Sequence, residues 1–156
     1  MYNHIMVPLD GSEMAGCVLP HVEALAKGCA TKNITFVRVV ERLRAVGGDS
    51  FIPEDIWQRY EVENRAASEE YLSQVSSKLD LGAGSVKTMV MSADEGQVAD
   101  SLADYAQKNG IDLIVMATHG RSGISRWVMG NIADRVLRSA CIPVLMVRAP
   151  GCIAGI

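Results

Sequence analysis

The chain has 156 residues, 49% of them apolar, which suits one domain with a sizeable core. A net charge of −3 without a basic, aromatic-interleaved stripe argues against a nucleic-acid partner, and no apolar run reaches the roughly 18 residues of a membrane span. We expect no signal peptide, and the four cysteines match no metal-binding spacing, so reduced thiols in a cytoplasmic protein are predicted.

The first residues predict a short strand followed by a helix. The strand covers residues 4–9 and is apolar through its centre. Ser12 suits the N-cap of a helix that we predict from Glu13 to Lys27, with Gly28 as its end. Pro20 lies inside that span, where it removes one backbone hydrogen bond, so a kink is expected there.

Strands and helices alternate through the rest of the chain. Pro53, followed by two acidic residues, predicts a helix start, and Gly110 predicts a helix end. The predicted elements are a strand at 33–40, a loop at 42–52, a helix at 53–79, a strand at 85–91, a helix at 95–109, a strand at 111–117, a helix at 132–139, a strand at 142–147 and a loose tail at 149–156.

The strands are continuous apolar runs, which is typical of a parallel sheet covered by helices on both faces. The pattern therefore predicts an α/β fold of three layers. In such a sheet, ligands bind beyond the carboxyl ends of the strands, where the strand order reverses. The long helix is expected to bury a face made of Ala66, Tyr71, Leu72, Val75 and Leu79.

A glycine-bearing loop joins the strand at 111–117 to the helix at 132–139. Gly120 and Gly130 would leave backbone N–H groups bare, as an approaching phosphate requires. Asn131 stands at the start of the following helix, where its side chain can cap N–H groups or bond a phosphate oxygen. His119 and Arg121 are further candidates to lie beside the phosphate charge.

Two other strand ends carry candidate ligand-binding residues. Asp10 follows the first strand and could accept hydrogen bonds from ribose hydroxyls, although Asp-Gly is also a common turn former. Val39, near the end of the second strand, could form an apolar wall for a base. The sequence has no phosphate-binding Gly-x-x-x-x-Gly-Lys-Ser/Thr, no Gly-x-Gly-x-x-Gly after the first strand and no Gly-x-Ser-x-Gly, so classical catalysis has little support.

The chain resembles the universal stress protein family from Ile5 to Arg148. The resemblance rests on Ile-Met-Val-Pro-Leu-Asp-Gly-Ser-Glu at the first strand and on Met-Ala-Thr-His-Gly-Arg-Ser-Gly followed by Gly-Asn-Ile-Ala-Asp-Arg-Val-Leu-Arg. It implies a domain at 1–148 with a tail at 149–156, and a Rossmann-like, adenine nucleotide α-hydrolase-like fold. That fold has a five-stranded parallel sheet of order 3-2-1-4-5. The resemblance also implies a homodimer through the last strand, at about 142–148.

Nucleotide-binding members of that family carry glycine, two residues, glycine, nine residues, glycine, then serine or threonine. This chain keeps the spacing, with Ala117 at the first glycine position and Asn131 at the last position. The resemblance implies that ATP, AMP or ADP binds, with Mg²⁺ only alongside ATP. The implied binding residues are Pro8, Leu9, Asp10, Val39, Met116, Ala117, His119, Gly120, Arg121, Gly130, Asn131 and Ile132.

Three functions compete at this point. The leading hypothesis is a regulatory protein of the stress response that binds an adenine nucleotide and serves as a switch or a weak ATPase. The second is an interaction dimer of the same family that holds no nucleotide, which the substitutions at Ala117 and Asn131 favour. The third, an adenylating enzyme of the wider fold group, would need a second substrate pocket for which so short a chain has little room.

Overall fold

The computed structural model describes residues 1–42, 53–118 and 131–148. In these residues five parallel strands form one sheet. The order β3-β2-β1-β4-β5 confirms the predicted topology. Each neighbouring pair is parallel, and β1 is paired on both sides. The strands are β1 (His4–Pro8), β2 (Asn33–Arg42), β3 (Ser85–Asp94), β4 (Leu113–Ala117) and β5 (Val144–Val147).

Helices cover the two faces of the sheet and enclose two apolar cores. The first core lies between the sheet and α1, α2 and α3, with Val22 and Leu72 among its members, and the second lies beneath α4 and α5, with Leu102 and Val136. None of these helices is long and apolar enough to cross a bilayer. The helices are α1 (Glu13–Gly16), α2 (Leu19–Cys29), α3 (Glu54–Ser77), α4 (Val98–Lys108) and α5 (Asn131–Ser139).

The predicted first helix is broken rather than kinked. Ser12 caps α1 as expected, since its hydroxyl accepts the Ala15 N–H at 3.1 Å. The helix stops after Gly16, and Pro20 then occupies the first turn of α2, where its missing N–H removes no hydrogen bond. The predicted end at Gly28 is also wrong, because Ala30 closes α2 in the left-handed conformation, with φ of 50°.

The predicted buried face of the long helix is confirmed except at one residue. Tyr71, Val75 and Leu79 pack against the core as expected. Ala66 is exposed, whereas Leu72 is fully buried as expected. Trp57 and Ser68 were not predicted to be buried, yet both are. Ser68 tolerates burial because its hydroxyl donates to the carbonyl of Asn64, one turn earlier on the same helix.

The edge strand β3 departs from the expected two-sided coverage. It pairs with β2 from Ser85 to Asp94, three residues beyond the predicted end. Most of its residues are exposed, and Val86 and Met89 keep 39% and 37% of their surface accessible. At this edge of the sheet the helices cover few of the strand's side chains on either face. The predicted loop beyond Arg42 and the tail at 149–156 lie outside the described residues.

The amino edge of the sheet carries a partly buried imidazole. His4 Nε2 lies 2.9 Å from the hydroxyl of Thr35, which is itself buried. Burial lowers the pKa of His4 below its ordinary value of 6.5, opposed by the carbonyl of Asn109 and the charge of Asp112, whereas Lys87 adds to the lowering. The folded chain therefore favours the neutral ring.

We expect protonation of His4 to destabilise the fold. Because its pKa is lower in the folded than in the unfolded chain, its contribution is complete above pH 6.5 and declines as the pH falls towards the folded pKa. Urea unfolding of the wild type and of His4→Gln at pH 7.5 and 5.5 measures this. The wild type should lose more unfolding free energy on acidification than the variant, and equal losses would contradict the assignment.

Candidate functional site

A cavity of about 580 Å³ opens at the carboxyl edge of the sheet. It lies where β1 ends between β2 and β4, which is the point at which the chain order reverses. Its walls reach from Ala15 and α3 on one face of the sheet to α4 and α5 on the other. Its size lies within the range of small-molecule and cofactor sites.

The wall towards α4 and α5 is apolar. Val37 and Met116, from the two strands flanking β1, are buried there, and Val39 is partly exposed at the opening. An apolar slot of this kind suits a flat aromatic group, because removal of its apolar surface from water has a favourable free energy. The remaining apolar residues of this wall are Val98, Ala99, Leu102, Ile132 and Ala133.

Asp10 supplies a carboxylate just beyond β1. One of its oxygens, Oδ1, accepts the backbone N–H of Ser12 at 2.9 Å and the Ser12 hydroxyl at 2.6 Å. The same hydroxyl caps α1, so the turn from strand to helix fixes the carboxylate at the cavity. A carboxylate held in this way can accept hydrogen bonds from ligand hydroxyls.

Arg38 brings a positive charge to the same part of the cavity as Asp10. Its guanidinium lies 5.4 Å from the centre of the Tyr71 ring, an arrangement in which the ring attracts the cation. Burial raises the pKa of Tyr71, and the charge of Asp10 raises it further while Arg38 lowers it. The pKa of Tyr71 therefore responds to both charges, because the side chains of Asp10 and Arg38 both lie near its ring.

The wall formed by α3 is polar. Tyr60, Asn64 and Ser68 follow one another at four-residue intervals and all line the cavity. Asn64 Nδ2 donates to the Tyr60 carbonyl at 2.8 Å, and the Ser68 hydroxyl donates to the Asn64 carbonyl. Sequence reasoning missed this wall, although a polar residue every four positions along a packed helix was a visible signal.

A hydrogen-bonded chain forms the rim between β2 and α5. The Gly96 N–H donates to Glu41 at 2.8 Å, and the Gly96 carbonyl accepts from Arg135. Arg135 also pairs with Asp100 on α4 at 2.7 Å. These contacts join the end of β2, the turn before α4 and the second turn of α5. They were not predicted, because residues so distant in sequence carry no local pattern.

The structure brings together seven of the twelve predicted site residues. His119, Gly120, Arg121 and Gly130 lie outside the described ranges, and Asn131 begins α5. Their roles in binding, like those of the seven, stay predictions. The seven that line the cavity are Pro8, Leu9, Asp10, Val39, Met116, Ala117 and Ile132.

The described lining of the cavity consists of apolar, hydroxyl, amide, carboxylate and guanidinium side chains. Within residues 1–42, 53–118 and 131–148, no three His, Cys, Asp or Glu side chains come close enough to hold a metal ion. The lining residues of those ranges include no histidine, cysteine or lysine. The arrangement is suited to holding a ligand that is apolar at one end and hydroxylated or charged at the other.

Comparison with known proteins identifies the family. The model of the "Universal stress protein family" matches residues 1–148. Universal stress protein MJ0531 of Methanocaldococcus jannaschii is 29% identical over 96% of this chain and 84% of its own length. Universal stress protein A homolog 1 of Coxiella burnetii is 32% identical over 94% of this chain and 96% of its own length.

Solved structures share the fold. MJ0577, also from M. jannaschii, superposes with a TM-score of 0.81 at 22% identity, over 97% of this chain and 99% of the other. A universal stress protein in complex with cAMP has a TM-score of 0.62 at 19% identity, over 95% of this chain and 98% of its own. By its sequence and its topology, the chain belongs to the universal stress protein family.

Proposed function

We propose that this protein binds an adenine nucleotide at the carboxyl edge of its sheet and regulates a stress response as a nucleotide-dependent switch or weak ATPase. The observation that carries this proposal is the pairing of an apolar slot with a fixed carboxylate, Asp10, in one cavity at the reversal point of the sheet. A structural neighbour solved in complex with cAMP supports an adenine nucleotide as the ligand class.

In the proposed binding mode, the base enters the apolar slot and the ribose meets Asp10. Val39 and Met116 flank the base, and a ribose hydroxyl donates to the carboxylate. The 5′-phosphates then point towards the N-terminus of α5, where the helix dipole and free N–H groups favour negative charge. Mg²⁺ would accompany ATP and would be held mainly by its phosphates.

The proposal treats the protein as a binder more than as an enzyme. A nucleotide held by an apolar wall, a carboxylate and a helix N-terminus meets few groups that could activate water. Weak hydrolysis of ATP is the most that we infer. We place the protein in the cytoplasm and assign the binding domain to residues 1–148.

The alternative is an interaction dimer that holds no nucleotide. Its support is the chain's departure from the family pattern at Ala117 and Asn131. Against it, the Ala117 side chain is 8% exposed and belongs to the core beneath α1 and α2. The extra methyl group is thus largely buried, and the cavity that Ala117 helps to line still has a volume of about 580 Å³.

The first test is chemical. Mass spectrometry of small molecules released from freshly purified, denatured protein should detect ATP, ADP or AMP. Isothermal titration of the emptied protein with ATP, AMP and cAMP, with and without Mg²⁺, should then show saturable binding. An empty protein that ignores millimolar nucleotide would favour the interaction dimer instead.

A bulky side chain at position 39 should block the cavity. Val39→Trp places an indole at the opening of the apolar slot, so AMP affinity should fall at least about tenfold. The matched control is Val62→Trp, because Val62 is 68% exposed on α3 and does not line the cavity. Equal AMP affinities in the two variants, each folded by circular dichroism, would exclude this slot.

We further propose a homodimer through the last strand. Val144 and Met146 pack with the core beneath α4 and α5, so Leu145 faces the other side of the sheet, where it stays 38% exposed. In the described sheet β5 pairs with β4 alone, which leaves an apolar edge open to a second copy.

Charge at Leu145 should therefore split the dimer. Leu145→Asp should halve the mass found by light scattering, because an unpaired carboxylate is costly to bury in an interface. Val86→Asp, at the opposite edge of the sheet and equally exposed in the wild type at 39%, should leave the mass unchanged. A dimer that survives Leu145→Asp would place the interface elsewhere.

A further inference from the structure

Arg38 occupies an unusual place for a cation, on a central stretch of β2. Along this strand Phe36 and Val40 belong to the core beneath α1–α3, and Arg38, between them, faces the same side. Its guanidinium stacks over Tyr71 and lines the cavity. The strand therefore delivers a partly buried positive charge to the α3 side of the site.

The guanidinium is confined on a second side by backbone. A Cβ built at Gly11 would stand 2.9 Å from Arg38 Nη1 and 3.2 Å from Cζ, which is too close for any other residue to fit without displacing Arg38. Gly11 also has φ of +85°, which side-chain-bearing residues avoid. The cation is thus held against the residue that directly follows Asp10.

The donors of Arg38 have no acceptor among the described residues. None of the hydrogen bonds or ion pairs within residues 1–42, 53–118 and 131–148 involves its guanidinium. A guanidinium carries five N–H donors in a planar fork that matches the oxygens of a phosphate. A guanidinium that stacks on Tyr71 and has no acceptor in the described part of the chain favours an oxyanion supplied by a ligand.

The cavity has room for such a group beside Arg38. Its α3 wall is formed by Tyr60, Asn64 and Ser68, and α3 packs on the opposite face of the sheet from α4 and α5, which flank the apolar slot. A substituent on the ribose would point into this polar lobe if the base lay in the slot. The 5′-phosphates would occupy a different end of the site.

We propose that the cavity prefers an adenine nucleotide whose ribose carries a second phosphate, at its 2′ or 3′ position, and that Arg38 binds this phosphate. The inference rests on the proposed function, in which Asp10 meets the ribose. The two neighbouring ribose positions then face two side chains of opposite charge. The free hydroxyl donates to Asp10, and the phosphate accepts from Arg38.

Four nucleotides test the preference on the wild-type protein. Isothermal titration compares AMP, ADP, adenosine 2′,5′-bisphosphate and adenosine 3′,5′-bisphosphate at low and high salt. ADP is the control for charge, because its second phosphate sits at the 5′ end. At least one bisphosphate should bind about tenfold more tightly than both AMP and ADP, with the gain shrinking as salt screens the contact.

Arg38 variants assign the gain to this residue. In Arg38→Gln the tenfold gain of the bisphosphate over AMP, both measured on that variant, should be lost, and Arg38→Lys should keep part of it. Arg59→Gln removes an exposed arginine of α3 that does not line the cavity, so it should retain the full gain.

The outcomes separate the two proposals. If AMP binds but neither bisphosphate exceeds AMP and ADP, the inference about Arg38 is overturned and the nucleotide site stands. If the gain persists in Arg38→Gln, another group binds the phosphate and the inference also fails. If no nucleotide binds to the wild type, both proposals fail together.

Discussion

The double pairing of β1 is the constraint on which the site depends. Ile5 is in register with Ile34 of β2 on one side and with Leu113 of β4 on the other. The helices that follow β1 pack on one face of the sheet, and the helix that follows β4 packs on the opposite face. The chain therefore leaves the two neighbouring strand ends in opposite directions. An opening between them results from topology alone.

The alternation of side chains along β2 gives the opening two chemically different walls. Val37 and Val39 face α4 and α5, whereas Arg38 faces α3. On the first side, burial of apolar groups is the available interaction, and on the second side it is hydrogen bonding and charge. A ligand with one flat apolar end and one polar end can satisfy both walls in a single orientation.

Local patterns in the sequence were enough to predict the order of the elements and the strand ends that surround the site. Apolar runs marked the inner strands, and the turn at Asp10 marked the end of β1, because both signals lie within a few residues. The break after Gly16 was missed because proline suits the first turn of a new helix as well as it kinks an old one.

The roles of Arg38 and Glu41 at the site could not be predicted in the same way. Arg38 lies against Tyr71 and Gly11, and Glu41 accepts a hydrogen bond from Gly96. These contacts exist only in the folded sheet. The exposed face of β3 was missed for a related reason, since a strand's sequence does not tell whether it will lie at an edge.

The cavity is assembled from residues as distant as Pro8 and Arg135, so no short segment of the unfolded chain can offer it to a ligand. A molecule bound there engages the native state alone. At a concentration one hundred times its dissociation constant, it would raise the free energy of unfolding by about 2.7 kcal/mol. Proteolysis of the unfolded chain would then be slower, because the unfolded state would be less populated. If the proposed nucleotide binds, the amount of this protein that persists in a cell would rise with the supply of that nucleotide.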